Sequence, residues 1–157
     1  MWEGSMDGER PSSGLCVRDL TVKFHAHLVL DRVRFTVPDG QVLAVNGASG
    51  CGKTTLLRAV AGLLPVVTGN IQLAGTEITH LTAHRRGGIY LSQEPLLFPH
   101  LSVFGNVAFG LRLRHVRRRE LHMRVDDMLA QLDLQGLASQ RPDQLSGGQK
   151  QRVAFGR

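Results

Sequence analysis

The sequence predicts an α/β protein, and three adjoining features carry that prediction. Val42-Leu43-Ala44-Val45 is a short, continuously apolar run, the pattern of a strand buried on both faces of a parallel sheet. It leads directly into the glycine-rich stretch Asn46-Gly47-Ala48-Ser49-Gly50-Cys51-Gly52-Lys53-Thr54-Thr55. Leu56, Leu57, Val60, Ala61, Leu63 and Leu64 follow at helical spacing, in a helix expected to stop before Pro65.

The flanking elements are read in order. Structure is expected from about Leu15, where residues 15–24 alternate as a strand in places. Residues 32–37 alternate more cleanly, with Val33, Phe35 and Val37 on one side, and Pro38-Asp39-Gly40 turns the chain. Residues 69–75 read as a strand and turn, and residues 88–93 as a short strand ending at Gln93. From Val103 to about Leu134 the pattern is helical, with Leu121, Val125, Met128, Leu129 and Leu132 on one face. Pro142 breaks the chain before Leu145-Ser146-Gly147-Gly148-Gln149. There is no internal repeat and no low-complexity linker.

Composition sets outer bounds. A chain of 157 residues, 42% apolar and 20% charged, is long enough for one domain with its own core, or a domain with a small appendage. Nineteen basic against thirteen acidic residues leave a net charge of +6. Much of that excess sits in Arg112–Arg119, most simply a solvated face. Cys16 and Cys51 have no metal-ligand spacing and fit a reduced compartment. No apolar run reaches the roughly 18 residues of a membrane span. Residues 1–14 are polar, resemble no secretory signal, and are expected to form a disordered tail.

The glycine loop carries the chemistry. Gly47-x-x-x-x-Gly52-Lys53-Thr54 fits the phosphate-binding P-loop pattern at every fixed position, between the apolar strand and helix the pattern requires. Glycines 47, 50 and 52 open backbone conformations closed to residues with a Cβ. N–H groups along Ala48, Ser49, Cys51 and Thr55 then converge on phosphate oxygens, and the partially positive helix start points at the same place. Lys53 offers a point charge to the outer phosphates, and the Thr54 hydroxyl is placed to ligate Mg²⁺.

A second motif narrows the field. Ser146, 93 positions beyond Lys53 (residue 146 against residue 53), is suited to cap a helix with Gln149 at its third position. Gly147 and Gly148 leave that helix start bare enough to meet a phosphate. Leu145–Gln149 resembles the LSGGQ signature of ABC (ATP-binding cassette) ATPases, most of all the importer group. The resemblance runs from about Leu15 to Arg157. It implies a P-loop NTPase (RecA-like) core with an antiparallel β subdomain and a helical subdomain, binding ATP and Mg²⁺. The implied division is 15–100 for the front of the core, 101–142 for the helical subdomain, and 143–157 for the signature. By the same resemblance, Phe24 is the aromatic that stacks on adenine, although a core Phe fits its strand position as well. Gln93 would contact Mg²⁺ or the attacking water. Ser146 would face ATP held by a second ATP-binding subunit, packed head to tail as a homodimer or heterodimer. Transmembrane permease subunits are the other implied partners, on the cytoplasmic face of the membrane with this chain peripheral to it. Nucleic acid is not an expected partner, though the basic run keeps it in view.

The family continues past the signature into an apolar strand ending in Asp-Glu and a later switch His. Neither occurs here: Asp126-Asp127 lies in the helical pattern, and all seven histidines precede the signature. The expectation is a core lacking its C-terminal part, with Val42–Val45 short of sheet neighbours and hydrolysis by this chain alone doubtful. A fragment that binds nucleotide without turnover is the alternative.

Overall fold

The computed structural model describes residues 14–157, so the tail expected at 1–14 lies outside the described residues except for Gly14. The chain divides into two compact units, at Tyr90/Leu91.

The first unit is built on an antiparallel sheet: β1 (Leu15–Phe24), β2 (His27–Val37), β3 (Thr68–Leu73) and β4 (Thr76–Glu77), in the order β2-β1-β3-β4. β1 is paired on both edges, to β2 from Leu15↔Val37 to Phe24↔His27 and to β3 from Leu15↔Leu73 to Thr21↔Thr68. Its alternation is only partial in sequence because the register shifts between Val17 and Leu20, where Asp19 adopts φ 50°. An extra residue at a bulge reverses which side chains face inward. Val17, Leu20, Val22, Leu30 and Ile71 are buried on one face against Leu56 and Ala59 of α1 (Lys53–Val60). Each such aliphatic side chain stabilises the fold by about 1.5–3 kcal/mol.

Two expected strands are absent from the ladders. Val42–Val45 and residues 88–93 pair with nothing among the described residues. Val42 is 95% and Ile89 92% exposed. A parallel strand exists only through neighbours that accept and donate its backbone hydrogen bonds. The four strands present pair with one another and leave these two segments without a ladder. Beside the first lies an open apolar cleft of about 310 Å³, lined by Leu15, Phe35, Val37, Leu43, Val45 and Leu57 among others. The helix after the glycine loop is also shorter than expected: α1 ends at Val60, with Leu63 and Leu64 beyond a turn at Gly62.

The second unit is helical: α2 (Val103–Leu113), α3 (Arg118–Gln131) and α4 (Gly147–Gly156). Leu121, Val125 and Leu129 are buried on the predicted face of α3 and pack with Val103, Val107 and Val153, while Met128 and Leu132 flank them. Gly156, a weak helix former, sits where α4 approaches its neighbours. A Cβ there would lie 2.8 Å from Leu132 Cδ1 and 3.2 Å from Met128 Cγ.

The stretch from Val103 to about Leu134 is helical as expected, in two helices joined by residues 114–117. Among the described residues three helices end alike, with a left-handed residue just past the cap and paired back-bonds (the Schellman motif). In α1 it is Gly62, with Leu63 N–H donating to Arg58 O at 2.9 Å. In α2 it is His115 (φ 54°), with Val116 N–H donating to Leu111 O at 3.1 Å. In α3 it is Asp133 (φ 53°), with Leu134 N–H donating to Leu129 O at 2.8 Å. After α2 and α3 the motif carries an apolar residue inward, Val116 and Leu134, whereas Leu63 after α1 stays exposed. A left-handed non-glycine residue costs about 1–2 kcal/mol, least for Asn, Asp and His. His115→Gly is therefore expected to stabilise the helical unit by up to about 1 kcal/mol. Slower amide exchange in α2 and α3 would show it; exchange unchanged or faster would contradict it.

Candidate phosphate-binding site

The loop Gly47–Thr54 keeps the conformation its glycines allow. Gly50 and Gly52 take φ 81° and 97°, a region that side chains with a Cβ disfavour. Gly52 is also a point of close approach: a Cβ there would come within 3.0 Å of Leu30 Cδ2 and 3.3 Å of Val29 O. Gly52 is the N-cap of α1 and provides no side-chain acceptor. The N–H groups of Lys53, Thr54 and Thr55 that open the helix thus have no partner within it. Cys51 N–H closes a turn onto Ala48 O at 3.3 Å. Gly47, Ala48, Ser49 and Gly50 are exposed, as are Cys51 and Thr54. The Lys53 ammonium arches back over the loop, donating to Gly47 O and Ala48 O, both at 2.7 Å, with Cys51 Sγ 3.7 Å away.

This arrangement presents backbone donors, a helix N-terminus and one ammonium group to the same exposed spot. It suits an oligophosphate. The Thr54 hydroxyl at the helix start is free of intramolecular hydrogen bonds among the described residues, as a Mg²⁺ ligand must be.

Phe24 ends β1 at a hairpin tip and is 45% exposed, so it is not a core residue. Its ladder partner His27 lies two positions before Val29, whose carbonyl abuts Gly52. The ring therefore stands at the end of the sheet that touches the loop.

Gln93 and Ser146–Gln149 belong to the second unit. Gln93 is exposed in an irregular segment. Ser146 is the N-cap of α4, and the expected reciprocal pair is present. Gln149 N–H donates to Ser146 Oγ at 3.3 Å, and Ser146 N–H donates to Gln149 Oε1 at 2.8 Å. Gly147 and Gly148 are exposed, with nothing within 4 Å of where a Cβ would stand.

Two residues that anchor these segments have no mark in the sequence. Arg86, in the run Arg85-Arg86-Gly87-Gly88, reads as surface charge but is 5% exposed. Its guanidinium donates to Ala59 O and Val60 O (2.9 Å each), Thr79 O (2.6 Å) and Leu81 O (2.8 Å). It ties the C-terminal end of α1 to the segment following β4, and a cation there complements the helix dipole. Burial pulls its pKa below the ordinary arginine value. Asn106 is fully buried in α2, and its amide clamps the loop after Gln93. Oδ1 accepts from Phe98 N–H at 2.8 Å, and Nδ2 donates to the carbonyls of Phe98, Leu101 and Ser102. Asn106→Ala is expected to cost about 2–3 kcal/mol through the stranded buried groups. Urea unfolding followed in α2 measures it; a loss under about 0.5 kcal/mol, within the range of surface substitutions, would contradict it.

The sheet, the glycine loop ahead of α1 and the capped start of α4 are the arrangement that known proteins can be compared with. The ABC transporter family pattern matches residues 30–157, and the chain belongs to that family. It is 43% identical over 141 residues to the Fe(3+) ions import ATP-binding protein FbpC of Escherichia coli K12, covering 90% of this chain and 40% of that protein. It is equally similar over 146 residues to a putative 2-aminoethylphosphonate import ATP-binding protein, PhnT, of Salmonella typhimurium. Over 143 residues it is also 43% identical to the spermidine/putrescine import ATP-binding protein PotA of Hahella chejuensis. The chain spans about 40% of the length of these curated relatives. A solved ATP-binding subunit of an ABC transporter superposes with a TM-score of 0.78 at 26% identity, covering 90% of this chain and 60% of that one.

Proposed function

We propose that this chain is the nucleotide-binding part of an ABC importer's ATP-binding subunit, and that it holds the triphosphate of ATP in the loop Gly47–Thr54. The observation that carries the reading is the convergence of Lys53 with the uncapped start of α1 at an exposed loop. Gly47, Ala48, Ser49, Gly50, Cys51 and Gly52 wrap the β-phosphate with backbone N–H groups, continued by those of Lys53, Thr54 and Thr55. Lys53 moves from the loop carbonyls to the outer phosphates, and Phe24 stacks on the adenine. Mg²⁺ bound by the Thr54 hydroxyl would neutralise charge on the outer phosphates. Gln93, by the family resemblance, would serve Mg²⁺ or the attacking water.

Ser146 and the bare helix start at Gly147 and Gly148 serve the nucleotide of a second ATP-binding subunit, so ATP joins the two. Gln149 holds Ser146 in place through their reciprocal bonds. Permease subunits complete the importer, with this chain at the cytoplasmic face of the membrane. The names of the relatives support import. The activity proposed for these residues is the binding of ATP.

Equilibrium dialysis separates this reading from a merely anionic site. ATP with Mg²⁺ is expected to bind at least tenfold more tightly than AMP, about 1.4 kcal/mol, and EDTA is expected to weaken ATP binding. Equal affinity for AMP and ATP would mean that the loop does not grip the outer phosphates, and the proposal would be abandoned.

A further inference from the structure

The elbow between α2 and α3 carries the densest charge in the chain, and the phosphate loop makes no use of it. Arg112, Arg114, His115, Arg117, Arg118 and Arg119 are all exposed. None of these arginines is in an ion pair among the described residues, whereas Arg124 is engaged by Glu120 at 2.6 Å. The Schellman turn at His115 ends α2, and α3 begins at Arg118, so the arginines on both sides of the turn share the one connection between the two helices. Leu113 stands within this group at 66% exposure, while Val116 is turned into the core.

The start of α3 makes the charge more telling. Arg117 is its N-cap and offers no capping hydrogen bond; Arg118 and Arg119 are its first two residues. Cations at a helix N-terminus oppose the macrodipole by a few tenths of a kcal/mol each. Local stability therefore does not explain them. Their distribution also discriminates between partners. Residues 112–119 hold no Phe, Tyr or Trp on which a base could stack. They hold instead an exposed leucine among arginines, the pairing that suits an interface of anionic headgroups over acyl chains.

We propose that the α2–α3 elbow is a docking surface for an anionic phospholipid bilayer, with the arginines on the headgroup phosphates and Leu113 at the level of the first acyl carbons. The contact is peripheral, since no described helix is long and apolar enough to cross a membrane. It does not depend on nucleotide, so its test and that of the P-loop fail independently.

The experiment is flotation of the full chain with vesicles of phosphatidylcholine and phosphatidylglycerol in a 7:3 ratio, against pure phosphatidylcholine. Binding is expected only to the mixed vesicles, and it is expected to fade as salt rises from 0.1 to 0.5 M. An arginine near such a surface contributes about a factor of five, so Arg117→Glu/Arg118→Glu/Arg119→Glu is expected to lower partitioning on the order of a hundredfold. Acidic residues suit a helix start, so this variant keeps its fold. Leu113→Ser is expected to lower partitioning several-fold at unchanged charge. Arg18→Glu/Lys23→Glu/Arg85→Glu makes the same change in net charge in the other unit and is expected to have little effect. Equal loss in the two triple variants would assign binding to overall charge and overturn the proposal. So would equal binding to neutral vesicles, or tighter binding to a 20-base-pair DNA duplex than to the mixed vesicles at the same salt.

Discussion

Lys53→Ala is expected to weaken MgATP binding on the order of 10–150-fold, the value of about 1.5–3 kcal/mol carried by a hydrogen-bonded charge. The ammonium group already spans the loop through Gly47 O and Ala48 O, so its tip lies where a phosphate entering the loop would arrive. The side chain is only part-buried and supports no core packing. Its removal is therefore expected to change stability by less than about 0.5 kcal/mol. Affinity and stability must separate: titration calorimetry reads the first, thermal unfolding the second. Affinity that falls only in step with unfolding would show that the lysine merely props up the loop. Affinity that does not fall would remove the loop from the site.

Arg86→Met is expected to have the opposite signature, a loss of about 3 kcal/mol in stability of the first unit. The methionine fills much of the same space but donates nothing to Val60 O, Thr79 O or Leu81 O. Ala59 O is less exposed to the loss because it also accepts from Gly62 N–H at 3.1 Å. Three kcal/mol is a large share of the 5–15 kcal/mol typical of a whole domain. Gly62→Ala provides an independent approach, since a Cβ at that left-handed position would come within 2.4 Å of Arg86 Nε. The alanine both strains the turn and displaces the guanidinium. Once Arg86 is gone, only the strain remains, so the two changes combined are expected to cost less than the sum of each alone. Denaturant unfolding of the four proteins decides it. Strict additivity would mean that the helix cap and the arginine act separately.

The features legible in the sequence are those whose physics is local. The P-loop is written in eight consecutive residues because its donors are its own backbone and its geometry comes from its own glycines. The cap of α4 is legible for the same reason: Ser146 and Gln149 are three residues apart and satisfy each other. The buried face of α3 follows from helical period alone.

What the tertiary structure decided involves partners far along the chain. Arg86 is a buried cap rather than a surface charge because four carbonyls, the farthest 27 residues away, converge on it. Asn106 looks like any polar helix residue until the loop at Phe98 is folded against it. The apolar run Val42–Val45 specified a strand, but a strand is completed by its neighbours, so the expectation that it would lack them came from outside the run, and the exposure of Val42 is its structural consequence. Phe24 could have gone either way on propensity; the hairpin tip left it exposed near the loop. Local hydrogen bonding is thus fixed by adjacent residues, whereas burial, and every role that depends on it, is fixed only when distant segments meet.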